Sequence, residues 1–275
     1  MKLYKQKTQM NTPTPLSIAL NAALAAGEIL RSMRASGFEC NKKGARDLLT
    51  SADLAAEKEI LAHIKQAFPT HYILSEEASP ETTSQILSQD HVWIIDPIDG
   101  TTNFAHGHFQ VGISIAYVEH GQILAGVVHA PFLNETFSAS KDHGAFCNDA
   151  PIHVSSTEKL TDALIATGFP YLRDELSPII SRVEKVLLNC RDIRRCGAAS
   201  LDVCWAACGR IDGYYETCQV WDIAAGALIA REAGAHVGSL REIPDDWALA
   251  HELYPVDFLV ANPGLFKQLR DLLKT

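Results

Sequence analysis

The spacing of apolar residues predicts two helices in the first quarter of the chain. Residues 16–30, LSIALNAALAAGEIL, place apolar side chains at helical spacing, and Asn21 and Glu28 interrupt the run before it could span a membrane. The second helix is predicted to begin after a cap at Thr50 or Ser51 and to end before Pro69. Its predicted buried face consists of Leu54, Leu61, Ile64 and Phe68. Residues 1–14 are predicted to form a frayed N-terminus.

Alternating apolar and polar residues then predict strands. Residues 111–130, VGISIAYVEHGQILAGVVHA, are typical of a hairpin that turns at His120 and Gly121, and the short strands ETFSAS, AFCN and IHVS follow. From about residue 160, predicted strands (ALIATG, IDGYYE, FLVAN) alternate with predicted helices at roughly 172–189, 198–208, 222–233 and from Pro263 onward. This change favours layers of helix and sheet in two subdomains of one compact unit, at 15–155 and 156–275.

Composition narrows the function classes. The chain has 24 Lys plus Arg and 33 Asp plus Glu, a net charge of −9, and no basic block, which argues against nucleic acid as the main partner. Seven scattered cysteines without a C-x-x-C pair are typical of small buried side chains in a reducing compartment, here predicted to be the cytoplasm. Residues 16–30 lack the charged start and cleavage pattern of a signal peptide.

The stretch WIIDPIDGTTNF places two carboxylates at the end of a predicted core strand. The apolar run Val92 to Ile95 leads directly into Asp96, and Asp99 follows three residues later. An unpaired charge in such a position is costly, so these residues need a partner. One interpretation is ordinary turn and cap chemistry around Pro97 and Gly100.

The alternative interpretation is a magnesium and phosphate site. Thr101 to Asn103 suit the first turn of a helix, where backbone N–H groups bind phosphate well. Magnesium is commonly held by carboxylates together with substrate phosphate, and two such ions can clamp a phosphoryl group. Two aspartates are too few for that, but Glu76, Glu77 and Asp222 also lie at predicted element boundaries. Bound cations would make an acidic pocket attractive to an anionic substrate.

Five ordered segments carry a family resemblance. WIIDPIDGTTNFAHG and VWDIAAGALIAREAG together resemble the two signature regions of the inositol monophosphatase family. KKGARDLLTSAD, ILSEEAS and RRCGAASLDVCWAACGRIDGYYE are similar to its remaining motifs, so the resemblance runs from about residue 16 to the C-terminus. It implies a mixed α+β and α/β fold, a layered α-β-α-β-α sandwich like that of sugar phosphatases. It also implies a magnesium-dependent, lithium-sensitive phosphatase that forms a homodimer.

The resemblance also implies roles for individual residues. The first magnesium would be held by Glu76, Asp96 and the carbonyl of Ile98, and the second by Asp96, Asp99 and Asp222, with Glu76 helping to hold a third, more hydrated ion. Thr101, oriented by Asp53, would activate the attacking water together with Glu76. The implied substrate contacts are Lys42, Asp99, Gly100, Thr101, Gly197, Ala199, Glu216 and Asp222.

Several of these residues have a second interpretation. Asp53 also suits the first turn of a helix through the helix dipole, Lys42 also suits a solvated surface, and Glu77 suits a supporting or surface role. His106 and His108 are not predicted ligands, because magnesium takes oxygen donors. Arg194 and Arg195 suit a phosphate contact, a dimer contact or a plain surface role equally.

Two departures from the family pattern bear on substrate choice. TCQVW, between Glu216 and Asp222, is one residue shorter than usual and lacks the common glycine, which puts the reach of Glu216 in question. Ala198 stands where threonine is common. TNFAHG resembles the branch that hydrolyses inositol monophosphate. The alternatives are fructose 1,6-bisphosphate, histidinol phosphate, a nucleotide 3′-phosphate or NADP, and a different class of function is a non-catalytic or moonlighting binding protein.

Overall fold

The computed structural model describes residues 13–42, 48–77, 83–170, 176–243, 250 and 254–274. Its helices are α1 (Pro15–Ser36), α2 (Ser51–Ala67), α3 (Thr83–Leu87), α4 (Thr101–Ala105), α5 (Ser177–Asn189), α6 (Ala199–Ala207), α7 (Val220–Glu232) and α8 (Pro263–Leu273). The first seven strands are β1 (Cys40–Lys42), β2 (Leu48–Thr50), β3 (Tyr72–Ser75), β4 (His91–Asp99), β5 (Gly112–Glu119), β6 (Gln122–Ala130) and β7 (Glu135–Ser140). The remaining strands are β8 (Ala145–Cys147), β9 (Ala150–Pro151), β10 (Leu164–Thr167), β11 (Asp192–Arg194), β12 (Gly213–Glu216), β13 (His236–Ser239) and β14 (Phe258–Ala261). The predicted frayed end falls almost entirely in residues 1–12, which lie outside the described part.

Helices α1 and α2 form the first layer. Thr14 and Thr50 cap them through hydrogen bonds to backbone N–H groups of the first turn. Helix α1 meets the length and mean-hydropathy criterion for a membrane span, but one such helix near an N-terminus is weak evidence. It contacts α2, β5 and β6, and its buried face is built mostly from small residues: Ala19, Ala22, Ala23, Ala26, Gly27 and Leu30.

The predicted buried face of α2 is partly wrong. Leu54 is 51% exposed, whereas Ile60 and Ile64 are fully buried. The helix is rotated so that Asp53 and Glu57 also face inward, where Glu57 accepts a hydrogen bond from the Ser75 hydroxyl. The orientation of α2 lets Asp53 and Glu57 reach these polar partners. The spacing of apolar residues along the helix does not reveal such contacts.

The second layer is a seven-stranded sheet in the order β3-β4-β5-β6-β7-β8-β9. Its pairs are antiparallel except β3 with β4, and the predicted hairpin is confirmed as β5 and β6. Trp93 and Ile95 pack toward α1 and α2, whereas Val92 and Ile94 pack on the opposite side, which explains the uninterrupted apolar run. The predicted strand IHVS is wrong. The N–H of Val154 donates to the carbonyl of Ala233, so the chain has left the sheet there.

Helices α6 and α7 form the third layer, between the large sheet and a five-stranded sheet in the order β11-β10-β12-β14-β13. Strands β10, β11 and β12 are parallel, and β13 and β14 add antiparallel pairs. Helices α5 and α8 cover the outer face of this sheet. The resulting α-β-α-β-α order confirms the expected layered fold. The short strands β11 and β13 were not predicted, and the boundary between subdomains at residue 155 stays a prediction.

Candidate active site

A cavity of about 480 Å³ opens where the end of β4 meets the end of β12 and the starts of α6 and α7. Ten of the predicted site residues line it: Glu76, Asp96, Ile98, Asp99, Gly100, Thr101, Gly197, Ala199, Glu216 and Asp222. Asp53 is not a lining residue but reaches the cavity through its contact with Thr101. Lys42 ends β1, and its side chain lies outside the described part. The fold thus gathers residues from five separate segments of the chain.

The end of β4 gives the two aspartates their separate directions. The regular pairing with β5 breaks between Asp96 and Asp99, and the Oδ1 of Asp96 accepts a 2.9 Å hydrogen bond from the Ile98 N–H. Gly100 then turns the chain with φ of 90°, and a Cβ there would lie 2.9 Å from the Gln110 carbonyl oxygen. Only glycine suits this turn, and α4 begins directly after it, as predicted.

Asp53 and Thr101 form a buried pair beneath the cavity. The Thr101 hydroxyl lies 3.2 Å from Asp53 Oδ1 and 3.1 Å from the Ile98 carbonyl oxygen, so its proton can go to either acceptor. Asp53 also accepts hydrogen bonds from the N–H and hydroxyl of Thr50, which makes it part of the α2 cap. Burial raises the pKa of Asp53 to about 6 against these hydrogen bonds. Asp53 thus lies in the first turn of α2 and also accepts a hydrogen bond from Thr101.

Asp99 and Asp222 are each held at the start of a helix. Asp99 Oδ2 accepts hydrogen bonds from the N–H (2.7 Å) and hydroxyl (2.5 Å) of Ser200 in the first turn of α6. Asp222 Oδ2 accepts a 2.8 Å hydrogen bond from the Gln219 N–H at the start of α7. Helix starts carry partial positive charge, which favours a carboxylate at both positions.

The carboxylates of the cavity repel one another. Burial, followed by the charges of Glu76, Asp99 and Asp222, raises the pKa of Asp96 well above its usual range. Burial and the charge of Asp99 do the same to Asp222. Among the described residues that line the cavity, Arg195 is the only cationic side chain. Negative charge in this part of the cavity is therefore under-compensated by the protein itself.

The donor chemistry fits a hard divalent cation. The polar groups at this end are carboxylate, hydroxyl and carbonyl oxygens, which are the ligands that magnesium prefers. The lining thiol, Cys218, has its pKa raised far above 9 by burial and so stays protonated. No three His, Cys, Asp or Glu side chains within the described ranges are already arranged as ligands of one ion. The fit therefore depends on the donor type and the uncompensated charge, and the assignment of individual ligands stays a prediction.

Glu216 also lines the cavity. The Tyr214 hydroxyl donates a 2.6 Å hydrogen bond to Glu216 Oε2, and burial raises the Glu216 pKa to about 7 despite Tyr214 and nearby Arg195. The carboxylate lies directly over Gly168, where any Cβ would overlap it. The side chain of Glu216 thus lies at the cavity wall. Ala198, which has no hydroxyl, also lines the cavity, and a Cβ at Gly100 would lie 3.4 Å from its Cβ.

Some residues of the site were not singled out from the sequence. Ser200 anchors Asp99. Asn103 Nδ2 lies within 2.7–3.2 Å of the carbonyl oxygens of Gln110, Cys196 and Gly197, and so ties α4 to the residues that precede α6. Asp202 is 1% exposed and lines the cavity from the middle of α6. A single acid in the apolar stretch LDVCWAA was the signal that could have identified it.

Of the arginines and histidines considered from the sequence, only one lines the cavity. Arg195 lines the cavity with its guanidinium 5.6 Å from the centre of the Phe169 ring, whereas Arg194 is exposed and pairs with Asp192. His106 and His108 are not among the lining residues. Of the two arginines, only Arg195 is therefore placed to meet a ligand in the cavity.

Comparison with known proteins defines the class. The profile of the inositol monophosphatase family matches residues 14–263. Inositol monophosphatase 1 of Solanum lycopersicum is 40% identical over 227 residues, which are 80% of this chain and 82% of that protein. The Nus factor SuhB of Pseudomonas aeruginosa is 40% identical over 264 residues, covering 92% of this chain and 93% of that protein.

A solved structure agrees with these matches. The extragenic suppressor protein suhB of Bartonella henselae superimposes with a TM-score of 0.84 at 34% identity, covering 94% of this chain and 97% of that one. The fold is thus that of a phosphatase family of mixed α/β architecture. The chain belongs to the inositol monophosphatase family.

Proposed function

We propose that this protein is a magnesium-dependent phosphomonoesterase that hydrolyses inositol monophosphate to inositol and phosphate. One observation carries the proposal: Glu76, Asp96, Asp99 and Asp222 converge on one cavity beside Thr101, and among its described lining residues only Arg195 offsets their charge. Buried carboxylates with mutually raised pKa values are a mark of functional sites. The family membership supports the reaction class.

The proposed ligand sets follow the family pattern. Glu76, Asp96 and the Ile98 carbonyl would hold one magnesium, and Asp96, Asp99 and Asp222 a second. Glu76 would also contribute to a third, more hydrated ion. When bound, magnesium lowers the pKa of water and stabilises negative charge on phosphoryl oxygens.

The protein's own groups would bind phosphate and orient the nucleophile. The N–H groups of Gly100 and Thr101 lie at the turn into α4, where phosphate would be gripped. While it donates a hydrogen bond to Asp53 Oδ1, the Thr101 hydroxyl presents a lone pair that can accept a hydrogen bond from the attacking water. Glu76, also at the cavity, would accept a second hydrogen bond from that water.

The substrate's hydroxyl groups would meet Glu216, Gly197 and Ala199, which also line the cavity. A carboxylate held by Tyr214 is suited to accept hydrogen bonds from a polyol ring. Lys42 is proposed as a further contact near the metals. The relative named inositol monophosphatase 1 supports the inositol branch. The alternatives are fructose 1,6-bisphosphate, histidinol phosphate, a nucleotide 3′-phosphate and NADP.

The test is phosphate release from this panel of substrates with and without magnesium. We expect magnesium-dependent release with a clear preference for inositol 1-phosphate. Preference for another member would keep the reaction and change the substrate. No release from any member, by folded protein that binds magnesium in calorimetry, would contradict the proposal. Lithium titrated against magnesium in the same assay tests the proposed lithium sensitivity.

A relative's name favours a second candidate function. The Pseudomonas protein is called a Nus factor, and a binding role without catalysis, or alongside it, belongs to a different class of function. Such a role predicts a stable complex with another protein from the same cell that survives loss of Asp96. Size-exclusion chromatography with light scattering tests the proposed homodimer, and fractionation tests the proposed cytoplasmic location.

A further inference from the structure

The cavity wall between Glu216 and Asp222 is tied to a distant part of the chain. Residues 217–219 line the cavity. The N–H of Cys218 donates to the Pro255 carbonyl at 3.1 Å, and the N–H of Asp257 donates to the Thr217 hydroxyl oxygen at 3.0 Å. The Thr217 hydroxyl lies 3.2 Å from Asp257 Oδ1 and can donate to it. The segment just before β14 therefore braces this wall from behind.

Asp257 is itself fixed by two arginines. Its side chain is 3% exposed, and its Oδ1 forms a 2.6 Å ion pair with Arg182 Nη1, which is 10% exposed. Its Oδ2 pairs with Arg241. Burial alone would raise the Asp257 pKa, but hydrogen bonds from both arginines outweigh burial and hold the pKa below its usual range. A charged carboxylate with two cationic partners is a rigid anchor.

The backbone at Asp257 gives a second sign that this position is specialised. Its φ of 51° is in the left-handed region, which costs free energy for most side chains. Its carbonyl accepts from the Leu240 N–H at 2.8 Å, so β13 is tied to the same residue. Asp257 thus contacts α5, the end of β13 and the cavity wall.

We propose that Asp257 is a positioning residue for the substrate end of the active site. It holds residues 217–219 so that Glu216, at one end of this short segment, and Asp222, at the other, face the same substrate. The substrate part of this inference rests on the proposed function.

The experiment combines amide hydrogen exchange, measured by NMR without substrate, and steady-state kinetics. Thr217→Val removes both hydrogen bonds to Asp257 but keeps the shape and the ion pairs. Thr217→Ser keeps the hydroxyl and is the matched control. Asp257→Asn keeps a residue that tolerates positive φ but removes the charge. Glu135→Gln removes the ion pair with Arg210 outside the cavity wall and controls for general destabilisation.

We expect the amide of Cys218 to exchange about tenfold faster in Thr217→Val, as for loss of a local restraint worth one hydrogen bond. We expect KM for the preferred substrate to rise about tenfold, with kcat changing less. Thr217→Ser and Glu135→Gln should change neither. If Asp257→Asn does not fold, Thr217→Val alone decides.

Two results would overturn the inference. Unchanged exchange at Cys218 in Thr217→Val would show that the hydrogen bonds to Asp257 do not hold this segment. Faster exchange with unchanged KM would show that holding the segment does not affect substrate binding. If the wild-type protein releases no phosphate from any substrate, the proposed function fails. The exchange measurement then still decides whether Asp257 holds the wall.

Discussion

Asp96, near the end of β4, and Asp257, directly before β14, are both buried aspartates. The charges that surround them, however, are of opposite sign. Around Asp96 the nearest charges are carboxylates, and its pKa is raised. Around Asp257 they are arginines, and its pKa is lowered. A buried charge that the protein pairs serves the structure, whereas one that the protein leaves uncompensated needs an external partner. The comparison separates a carboxylate that the protein pairs with cations from one that it does not, without reference to sequence motifs.

The strongest way to break this comparison is Asp96→Asn. We expect phosphatase activity to fall by about 10³-fold or more, because an electrostatic group at the reacting centre is lost. The free energy of unfolding of the magnesium-free protein should stay the same or rise, since one of several repelling charges is removed. Activity assays and urea unfolding measure the two effects. Equal turnover by the variant would contradict the metal assignment.

For Asp257→Asn we expect the main effect on the free energy of unfolding. Loss of the carboxylate leaves Arg182 buried without its counter-charge, and breaking a buried ion pair from one side costs about 3–5 kcal/mol. We expect a large fall in the urea midpoint. A loss below about 1 kcal/mol would mean that water or neighbouring groups solvate Arg182 well, and that the two aspartates differ less than their surroundings suggest.

His129 extends the comparison to a buried base. Its Nδ1 lies 2.9 Å from the Thr136 hydroxyl, whereas its Nε2 is buried without a hydrogen-bond partner among the described residues. Burial, helped by nearby Arg31, lowers the His129 pKa to about 4. The unfolded chain, with a pKa near 6.5, therefore binds more protons than the folded protein between about pH 6.5 and 4.

Stability should thus be complete above about pH 6.5 and fall by up to about 3 kcal/mol as the pH drops toward 4, from this residue alone. Urea unfolding at several pH values measures the slope, and His129→Gln should flatten it. An equal slope in wild type and variant would show that His129 is not the group responsible.

The smallest effect expected tests the orientation of α2. Leu54→Gln should change the free energy of unfolding by less than about 0.5 kcal/mol, because this side chain is half exposed. Ile60→Ala, on the same helix, should cost about 2–5 kcal/mol. Similar losses in the free energy of unfolding for both variants would mean that Leu54 is buried, as the sequence predicted.

The proposed metal end of the site could be predicted from the sequence because its chemistry is local. Asp96, Asp99, Gly100 and Thr101 lie within six consecutive residues, and carboxylates after a core strand already require a partner. The family resemblance extended this to Glu76 and Asp222. The hairpin, the cap at Thr50 and the helix start at Pro263 were accessible for the same reason, since periodicity and caps are read over a few residues. The five-layer order came from the family resemblance.

Tertiary structure alone decided the remainder. The inward face of α2 depends on partners for Asp53 and Glu57 that come from later in the chain. The role of Asp257 depends on Arg182, Thr217 and Arg241, which are 16 to 75 residues away from it. A sequence pattern records which side chains need burial or a partner, but only the folded chain determines which partner is within hydrogen-bonding distance.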